Sequence, residues 1–560
     1  MAPRRVPLLI LGALGLLGGA PAGAATTVAT GPAAFTVAPL PQATGVTFGP
    51  AAGNRNESVE PGMAVDGAGT FWVGSNIDPN TSADPRAKSA LSGEDIWRST
   101  DGGVTYQWVA DPFNATSSTP ALGGEDSDIA AAPEKNSAGF YNVYATSLYV
   151  GASNIAISQD GGATFTTNPL GGVPAQDRPW LSADGPCTYY LTYHQLPLFL
   201  PVVNRYDACS TTNQGAGLTV SPVSQTAVFM QNSAPGLSNG FNKPVVDVSP
   251  SSPHRDALYV PMEACDFQNP QDYINNLVTT AEQLPVCPPG VNTYVEVAVS
   301  TDMGASFTVH RVATNTNGEQ QVWPTSIGVD RAGTVAVSWS DNHNAFFSTS
   351  ADGGTSWTPA RRLNTAPVGT ATFPTVAGGA PGVFEVAFYG TPTVANSNDA
   401  TALKEPGTAG ASTWHLFWLK STDGGANFTQ QAVGGINHTG VLCTKGSSCG
   451  GAGERNLYDD FGIVISPTSG RASIAFDADQ PLRTSPLASG YLDPYTAFAT
   501  ELPPTTGTVG TTPPPVTSTT APTPNTARAA GGAAAVVAVL VGLGGLRLIR
   551  PRSRRRPAAR

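Results

Sequence analysis

The sequence predicts an all-β fold: a propeller of seven blades with four antiparallel strands each, with six blades as the alternative. Five short boxes of the form Ser-x-Asp-x-Gly-x-(Ser/Thr/Asn)-aromatic recur along the chain. Seven further segments each read as two apolar strands joined by a tight turn. Charged residues make up only 12% of the 560 residues, glycines number 62, and no long stretch has helical periodicity. Together these features indicate a repeated β-sheet unit.

The chain begins with a pattern typical of a secretory signal peptide, predicted over residues 1–25. Arg4 and Arg5 precede an apolar run that starts at Val6, and small residues follow up to Ala25. We therefore expect this segment to be cleaved and residues 26–502 to form an exported propeller.

The seven hairpin segments define the predicted blades. They begin at Glu60, Asp126, Asp177, Lys243, Val322, Thr372 and Tyr458. Five are followed by a box, and one hairpin plus one box hairpin supplies the four strands of a blade. In the third unit, residues 199–212 stand where a box is missing. The seventh unit retains only residues 495–502, so we expect residues 33–40 to supply its outer strand and close the ring, which removes exposed sheet edges.

Three segments follow the predicted propeller. Residues 503–528 are rich in Pro and Thr and lack the apolar residues that a core needs, which favours an extended spacer. Residues 529–549 contain an uncharged apolar run long enough for one transmembrane helix. Residues 550–560 are rich in arginine, which is typical of the cytoplasmic side. The expectation is a single-pass cell-membrane protein with an extracellular propeller.

The charge balance excludes some partners. Residues 26–502 carry 19 Lys and Arg against 40 Asp and Glu, a net charge of −21. A surface this acidic argues against binding nucleic acid and against docking on anionic lipid.

Six cysteines in an exported chain indicate disulfides rather than metal ligation. Fifteen pairings are formally possible. Closure between neighbours is the expected one, because each pair then brackets one loop or hairpin: Cys187 with Cys209, Cys265 with Cys287, and Cys443 with Cys449.

The five boxes resemble the Asp-box (BNR) repeats of the sialidase superfamily, and the resemblance spans nearly the whole of residues 26–502. In that family the box is a turn between the third and fourth strands of a blade. The acidic residue of each box can accept backbone N–H bonds within the turn. We expect a structural role for Asp101, Asp160, Asp302, Asp352 and Asp423.

The resemblance also implies a site at the channel mouth opposite the boxes, where inner strands begin and second strands end. A sialidase needs three arginines for the substrate carboxylate, a tyrosine nucleophile activated by a glutamate, and an aspartic acid as acid/base. The candidate arginines are Arg55, Arg178 and Arg455. Tyr458 with Glu263 or Glu60 would form the nucleophile pair, and Asp177 or Asp126 the acid. The family's Arg-Ile-Pro signature before the first box is absent.

A non-catalytic propeller that binds a carbohydrate or a protein is the alternative. Its ligand would contact aromatic and polar side chains at the mouth: Trp180, Tyr193, His194, Trp323, Asp341, Asp459 and Asp460. No cofactor is expected, apart from a possible structural calcium ion held by residues 459–461 and 477–479. The predicted partner in either case is a glycan or another extracellular ligand.

Overall fold

A computed structural model of the chain describes residues 26–28, 31–50, 52–53, 55–77, 84–86, 93–114, 123–149, 152–169, 176–195, 200–210, 224–227, 238–241, 243–265, 292–315, 325–445, 449–451, 453–459, 461–486 and 493–504. The predicted signal peptide, spacer, membrane helix and basic tail lie outside the described residues, as do Trp323, Asp460 and Cys287. The chain divides into two compact units, Met1–Pro504 and Thr505–Arg560, and the described residues belong to the first. None of the helices in these described ranges has the length and apolarity to cross a membrane.

Seven antiparallel sheets form the described fold, and each supplies one blade. The predicted count of seven is therefore confirmed, and the alternative of six is wrong. Blade I consists of β3 (Ser58–Val65), β4 (Phe71–Ile77), β5 (Glu94–Ser99) and β6 (Gln107–Ala110). Blade II consists of β7 (Ser127–Lys135), β8 (Tyr141–Tyr149), β9 (Ala152–Ser158) and β10 (Thr166–Pro169). Blade III consists of β11 (Gln176–Asp184), β12 (Thr188–Gln195), β13 (Leu200–Asp207) and β14 (Ser224–Ala227).

The remaining blades repeat this order. Blade IV has an inner strand in two pieces, β15 (Ser238–Phe241) and β16 (Val245–Val246), followed by β17 (Leu258–Cys265), β18 (Thr293–Ser300) and β19 (Thr308–Asn315). Blade V consists of β20 (Ser326–Val329), β21 (Val335–Ser340), β22 (Ala345–Ser350) and β23 (Arg361–Arg362). Blade VI consists of β24 (Thr370–Gly378), β25 (Phe384–Thr391), β26 (Thr413–Ser421) and β27 (Thr429–Thr439), with helix α1 (Ala400–Leu403) between β25 and β26.

Blade VII joins the two ends of the propeller. Its strands β28 (Gly462–Ile465), β29 (Ala472–Ala478) and β30 (Tyr495–Glu501) continue into β2 (Phe35–Pro39) and then β1 (Thr26–Val28). Phe35 pairs with Glu501, and Pro39 pairs with Ala497. The prediction that residues 33–40 complete the last blade is confirmed, and the edge of β30 is covered.

The inner strands of successive blades contact one another around a closed ring, from β3 through β7, β11, β16, β20, β24 and β28 back to β3. Buried aromatic and aliphatic side chains fill the space between blades. Tyr144 of blade II stacks on Tyr189 of blade III with ring centroids 4.5 Å apart. The core is thus a set of layers between blades, as the alternation of apolar residues along each strand requires.

Each box is the turn between the third and fourth strands of a blade. In the first, Asp101 Oδ1 accepts hydrogen bonds from the backbone N–H groups of Val104 and Thr105, both at 3.0 Å. Asp101 Oδ2 accepts the Thr105 hydroxyl at 2.6 Å, and the Ser99 hydroxyl donates to Oδ1 at 2.8 Å. The other four boxes repeat this pattern. In each, the Asp carboxylate accepts the hydroxyl of the first Ser, and it also accepts the backbone N–H and the side chain of the Ser, Thr or Asn that precedes the aromatic residue. These carboxylates hold turns together.

In two boxes the second glycine also lies close to a ring of the preceding blade. Gly162 of blade II has φ +83°, and a Cβ atom at this position would overlap the ring of Trp72 in blade I. Gly425 of blade VI stands in the same relation to Phe347 of blade V. Glycine is required for two reasons here, the left-handed backbone and the close approach of the preceding blade.

Two of the three predicted disulfides fall on described residues, and both are present. Cys187 is bonded to Cys209 at the end of blade III, and Cys443 is bonded to Cys449 after β27. The third predicted pair involves Cys287, outside the described ranges.

Three inner strands carry a bulge immediately before a proline. Glu60, Arg178 and Phe373 precede Pro61, Pro179 and Pro374, and their φ angles are +53°, +56° and +52°. Such angles are unusual for residues with a side chain and mark places where surrounding structure dictates the backbone. In blade IV the inner strand is broken at the matching Lys243–Pro244. Below these bulges the central channel encloses a largely apolar cavity of about 490 Å³.

Candidate functional site

Six ionisable side chains from blades I, II, III and VII converge at the face opposite the boxes, and we call them the mouth cluster: Glu60, Asp126, Asp177, Arg178, Arg455 and Asp459. Glu60 and Arg178 stand on the proline bulges of β3 and β11. Asp126 directly precedes β7, and Asp459 lies shortly before β28. The starts of four inner strands therefore bring the cluster together.

Arg178 is the centre of the mouth cluster. Its Nη2 contacts Asp459 Oδ2 and lies 3.6 Å from Glu60 Oε1, while its Nε lies 3.9 Å from Asp126 Oδ2. Arg455 contacts the same Asp459 oxygen and lies 3.7 Å from Glu60 Oε1. Two guanidinium groups thus share two carboxylates.

The acids of the cluster form a hydrogen-bonded chain with Asp126 in the middle. The side chains of Asp177 and Glu60 both bond to Asp126. Burial and the neighbouring Asp126 charge raise the pKa of Asp177 to about 7. Burial and Asp126 also raise the pKa of Glu60, despite the opposing effect of Arg178. Although burial acts in the opposite direction, Arg178 and Arg455 lower the pKa of Asp126. The pattern is one acid with a lowered pKa, Asp126, between two acids whose pKa values are raised, Asp177 and Glu60.

The mouth cluster combines four carboxyl groups with two guanidinium groups. Hydrogen-bonding groups of both kinds at one place suit the recognition of a polar ligand.

Part of the cluster is open to solvent. The side chain of Arg455 is 33% exposed and that of Asp126 is 23% exposed, whereas Asp459 is 1% exposed. Asp177 and Tyr458 are also partly exposed, and the Arg455 guanidinium lies 5.2 Å from the Tyr458 ring centroid. Tyr458 has φ +50°, one more strained position at this mouth. A ligand would meet Asp126, Asp177, Arg455 and Tyr458.

Two of the predicted catalytic residues lie elsewhere. The Arg55 guanidinium lies 5.0 Å from the ring of Tyr495 and donates to Ala52 O at 3.3 Å. Its described contacts include none of the carboxylates shared by Arg178 and Arg455. Glu263 lies in blade IV, where the Thr325 backbone N–H donates to it and burial raises its pKa. The predicted pairing of Glu263 with Tyr458 does not occur among the described contacts, whereas Glu60 reaches the mouth.

Two of the predicted binding aromatics, Tyr193 and Trp180, are core residues rather than ligand platforms. Tyr193 is 1% exposed and packs between blades II and III. Trp180 is 5% exposed and packs against blade IV beside the channel cavity. Both rings reach into the layers between blades, where an aromatic side chain buries a large apolar surface.

The two remaining predicted binding residues have local roles. His194 is fully buried opposite Asp177 in the β11–β12 pair, and burial together with Arg178 lowers its pKa to about 3. It is therefore a neutral neighbour of the cluster. Asp341 accepts the backbone N–H groups of His343 and Asn344 at 3.0 and 2.7 Å, which makes it part of a turn in blade V.

A second charged pair, Lys243 and Asp128, lines the channel cavity. Lys243 Nζ donates to Asp128 Oδ1 at 2.7 Å and to the carbonyl oxygens of Ile129 and Met63 at 2.6 and 3.1 Å. Its stem crosses from blade IV to blades I and II. The pair therefore joins three blades at the wall of the cavity.

Glu94 is a buried acid that sequence reasoning missed. It is fully buried at the start of β5, and neither carboxyl oxygen has a hydrogen-bond partner. Burial, followed by the charges of Asp128, Asp111 and Asp95, raises its pKa well above 4.5. The sequence shows only that an acidic residue begins the third strand of blade I. Its spacing is the same as that of a solvent-exposed acid, so its burial could not be predicted.

The described residues give little support to a metal site. Cys187, Asp207 and Cys209 are the one group there with suitable spacing, and both cysteines are used in a disulfide. Two of the carboxylates proposed for calcium face donors instead. Asp459 contacts two arginines, and Asp477 accepts the Glu60 N–H at 3.1 Å.

Comparisons with known proteins show resemblance at the level of solved structures. No family model matches the sequence, and no curated protein matches it. An α-L-arabinofuranosidase from Fusarium graminearum with an iminosugar inhibitor is 14% identical, covering 62% of this chain and 92% of that chain, with a TM-score of 0.37. An α-L-arabinanase from Penicillium chrysogenum with arabinobiose is 11% identical, covering 81% and 96%, with a TM-score of 0.38. A fucose-specific lectin from Aleuria aurantia is 12% identical, covering 67% and 95%, with a TM-score of 0.35. At these values the likeness carries no conclusion about activity.

Proposed function

We propose that the mouth cluster binds a neutral glycan and hydrolyses its glycosidic bond, with Asp177 as the general acid. The observation that supports the proposal is an Asp126 with a lowered pKa beside a partly exposed Asp177 whose pKa is raised to about 7. Two acids whose environments separate their pKa values are what proton transfer near neutral pH requires.

The reaction would proceed as follows in terms of protons. The Asp177 hydroxyl donates its proton to the leaving-group oxygen as the glycosidic C–O bond breaks. A water molecule supplies the hydroxyl of the new reducing end, and its remaining proton returns to the Asp126–Asp177 pair. The pair thus ends in its starting state. While Asp177 is without its proton, Arg178 stabilises the negative charge of the pair.

Release of a chromophore from neutral pentose and hexose glycosides by the purified full chain would test the proposal. Asp177→Asn should reduce turnover at least 100-fold, because a general acid contributes roughly that factor or more. Asp256→Asn is the matched control, since Asp256 is an exposed carboxylate on the box face and Asn tolerates its positive φ. Binding of neutral glycans on an array without turnover of any glycoside would favour a non-catalytic binding propeller.

Exo-sialidase activity is the second candidate, and one observation favours it. Arg178 and Arg455 hold the same Asp459 oxygen, and a substrate carboxylate placed there would meet two guanidinium groups. Turnover of a fluorogenic sialic acid glycoside that is lost in Arg178→Ala, with no turnover of neutral glycosides, would support this candidate over the first.

We also propose that the propeller is displayed at the cell surface by the apolar run within residues 529–549. The support is the order of spacer, apolar run and arginine-rich tail in the sequence. Deletion of residues 529–560 should release the protein into the medium. Retention of the shortened chain in the membrane fraction would contradict the proposal.

A further inference from the structure

His438 and Asp479 form a buried pair behind the mouth. His438 Nδ1 lies 2.8 Å from Asp479 Oδ2, and Nε2 lies 2.9 Å from Val441 O; neither side chain has exposed surface. A carboxylate oxygen and a carbonyl oxygen only accept, so each ring nitrogen must carry a proton to make its bond. The geometry therefore describes an imidazolium. Burial lowers the pKa of His438, but Asp479 and these bonds outweigh it and leave the pKa raised.

Asp479 also holds the residues that carry the mouth arginine. Its Oδ2 accepts the Asn456 side-chain amide at 2.9 Å. Asn456 belongs to residues 453–459, which we call the site segment, and it directly follows Arg455. One carboxylate oxygen thus joins the end of blade VI, the second strand of blade VII and the site segment.

We propose that His438 is a positioning residue of the mouth: as a cation it fixes Asp479, and through Asn456 it holds the site segment so that Arg455 and Asp459 meet Arg178 and Glu60. The coupling itself is structural, and only its effect on turnover rests on the proposed function. Loss of the His438 proton removes one of two ring hydrogen bonds and leaves a buried carboxylate without its cation, which is costly.

The groups around His438 leave Asp479 as its charged partner. Strand β26 places the uncharged Trp414 opposite it, the site segment presents Asn456, and β30 presents Tyr495 near Asp479. Lys404 meets this region through its backbone carbonyl, which accepts the Val441 N–H at 2.7 Å, and Arg55 lies against the Tyr495 ring. Because the pKa of this base is raised in the folded state, its stabilisation is fully present below about pH 6.5 and is lost as the pH rises through the folded-state pKa.

Hydrogen–deuterium exchange of the site segment in the full chain tests the inference. After correction for intrinsic rates, exchange of residues 453–459 should rise roughly tenfold between about pH 6 and pH 9, the equivalent of one pKa unit of coupling. Asp177→Asn should show the same rise, which separates the effect from titration of the mouth acid. In His438→Asn exchange should be high at both pH values. His310→Asn, on β19 of blade IV, is the matched control and should behave as the unmodified chain.

Two outcomes would overturn the inference: exchange that does not change with pH, or a rise that persists in His438→Asn. If that variant does not fold, an NMR titration of the six histidines in the unmodified chain decides the matter, and a His438 ring that titrates at or below pH 6.5 refutes it. Absence of turnover on every glycoside would defeat the proposed function and leave the exchange result standing on its own.

Discussion

The carboxyl groups of Asp126 and Asp177 are hydrogen-bonded to each other although they belong to different blades. Asp126 precedes the inner strand of blade II, and Asp177 lies in the inner strand of blade III. The pair therefore forms only when these blades pack side by side. Two carboxyl groups in contact do not both ionise at neutral pH. The raised pKa of Asp177 therefore depends on the packing of blade II against blade III.

Replacing Asp126 should change the proton affinity of its neighbour. We expect Asp126→Asn to bring the pKa of Asp177 below about 7, because the Asp126 charge is one of the two causes that raise it. Carboxyl ¹³C NMR across pH 4 to 9 measures this directly, with Asp256→Asn as the control. An Asp177 pKa that stays at its original value in Asp126→Asn would contradict the described hydrogen-bonded pair.

The box glycines allow a stability test with an internal comparison. Gly162 and Gly139 have similar φ angles of +83° and +88°, but a Cβ atom overlaps Trp72 at Gly162 and meets nothing within 4 Å at Gly139. We expect Gly139→Ala to lower the free energy of unfolding by about 1 kcal/mol through backbone strain alone. Gly162→Ala should cost about 3 kcal/mol, because overpacking is added to the strain. Urea denaturation measures both, and equal losses would show that the blade contact does not set the requirement.

The buried Glu94 should make stability depend on pH. Its pKa is raised in the folded state, so its contribution is most favourable below about pH 4.5 and is lost as the pH rises through the folded-state value. Glu94→Gln should therefore gain about 1.4 kcal/mol relative to the unmodified chain for each pH unit between 4.5 and the folded-state pKa. Melting temperatures at pH 4.5 and pH 8 check this, with the exposed Glu134→Gln as control. A gain of equal size at both pH values would refute the assignment of a protonated buried acid.

The closing strand should be sensitive to loss of a single ring. Phe35 of β2 is fully buried and meets Trp418 of blade VI edge to face at 5.2 Å between ring centroids. We expect Phe35→Ala to lower the free energy of unfolding by about 3–5 kcal/mol, the usual cost of removing a buried aromatic ring. Val104→Ala, at a partly exposed apolar residue in the first box, is the control. Equal unfolding midpoints for the two variants would argue against a stabilising role for the closing strand.

Much of the fold was readable because its causes are local. The boxes carry their own hydrogen-bond donors, and the hairpins alternate apolar and polar residues, so blade number and ring closure followed from spacing. The mouth positions Asp177, Arg178, Arg455, Tyr458 and Asp459 followed from the starts of inner strands. These periodicities are properties of single segments.

The proton arrangement was not readable, because it depends on contacts between blades. Arg178 lowers the pKa of Asp126. Arg178 itself reaches the mouth because it stands on a proline bulge, with φ +56°. The proline is visible in the sequence, but the positive φ of the residue before it is not a local preference. His438 gave no signal either, since its side-chain partner Asp479 comes from blade VII.

Strand β2 is made first and β30 is made last, and the two lie side by side in blade VII. During translation, more than 450 residues must therefore be added after β2 before its partner β30 is available for pairing. A chain that stops short keeps an unpaired sheet edge and cannot form the ring. Closure of the ring therefore requires every residue from β2 to β30 to have been synthesised.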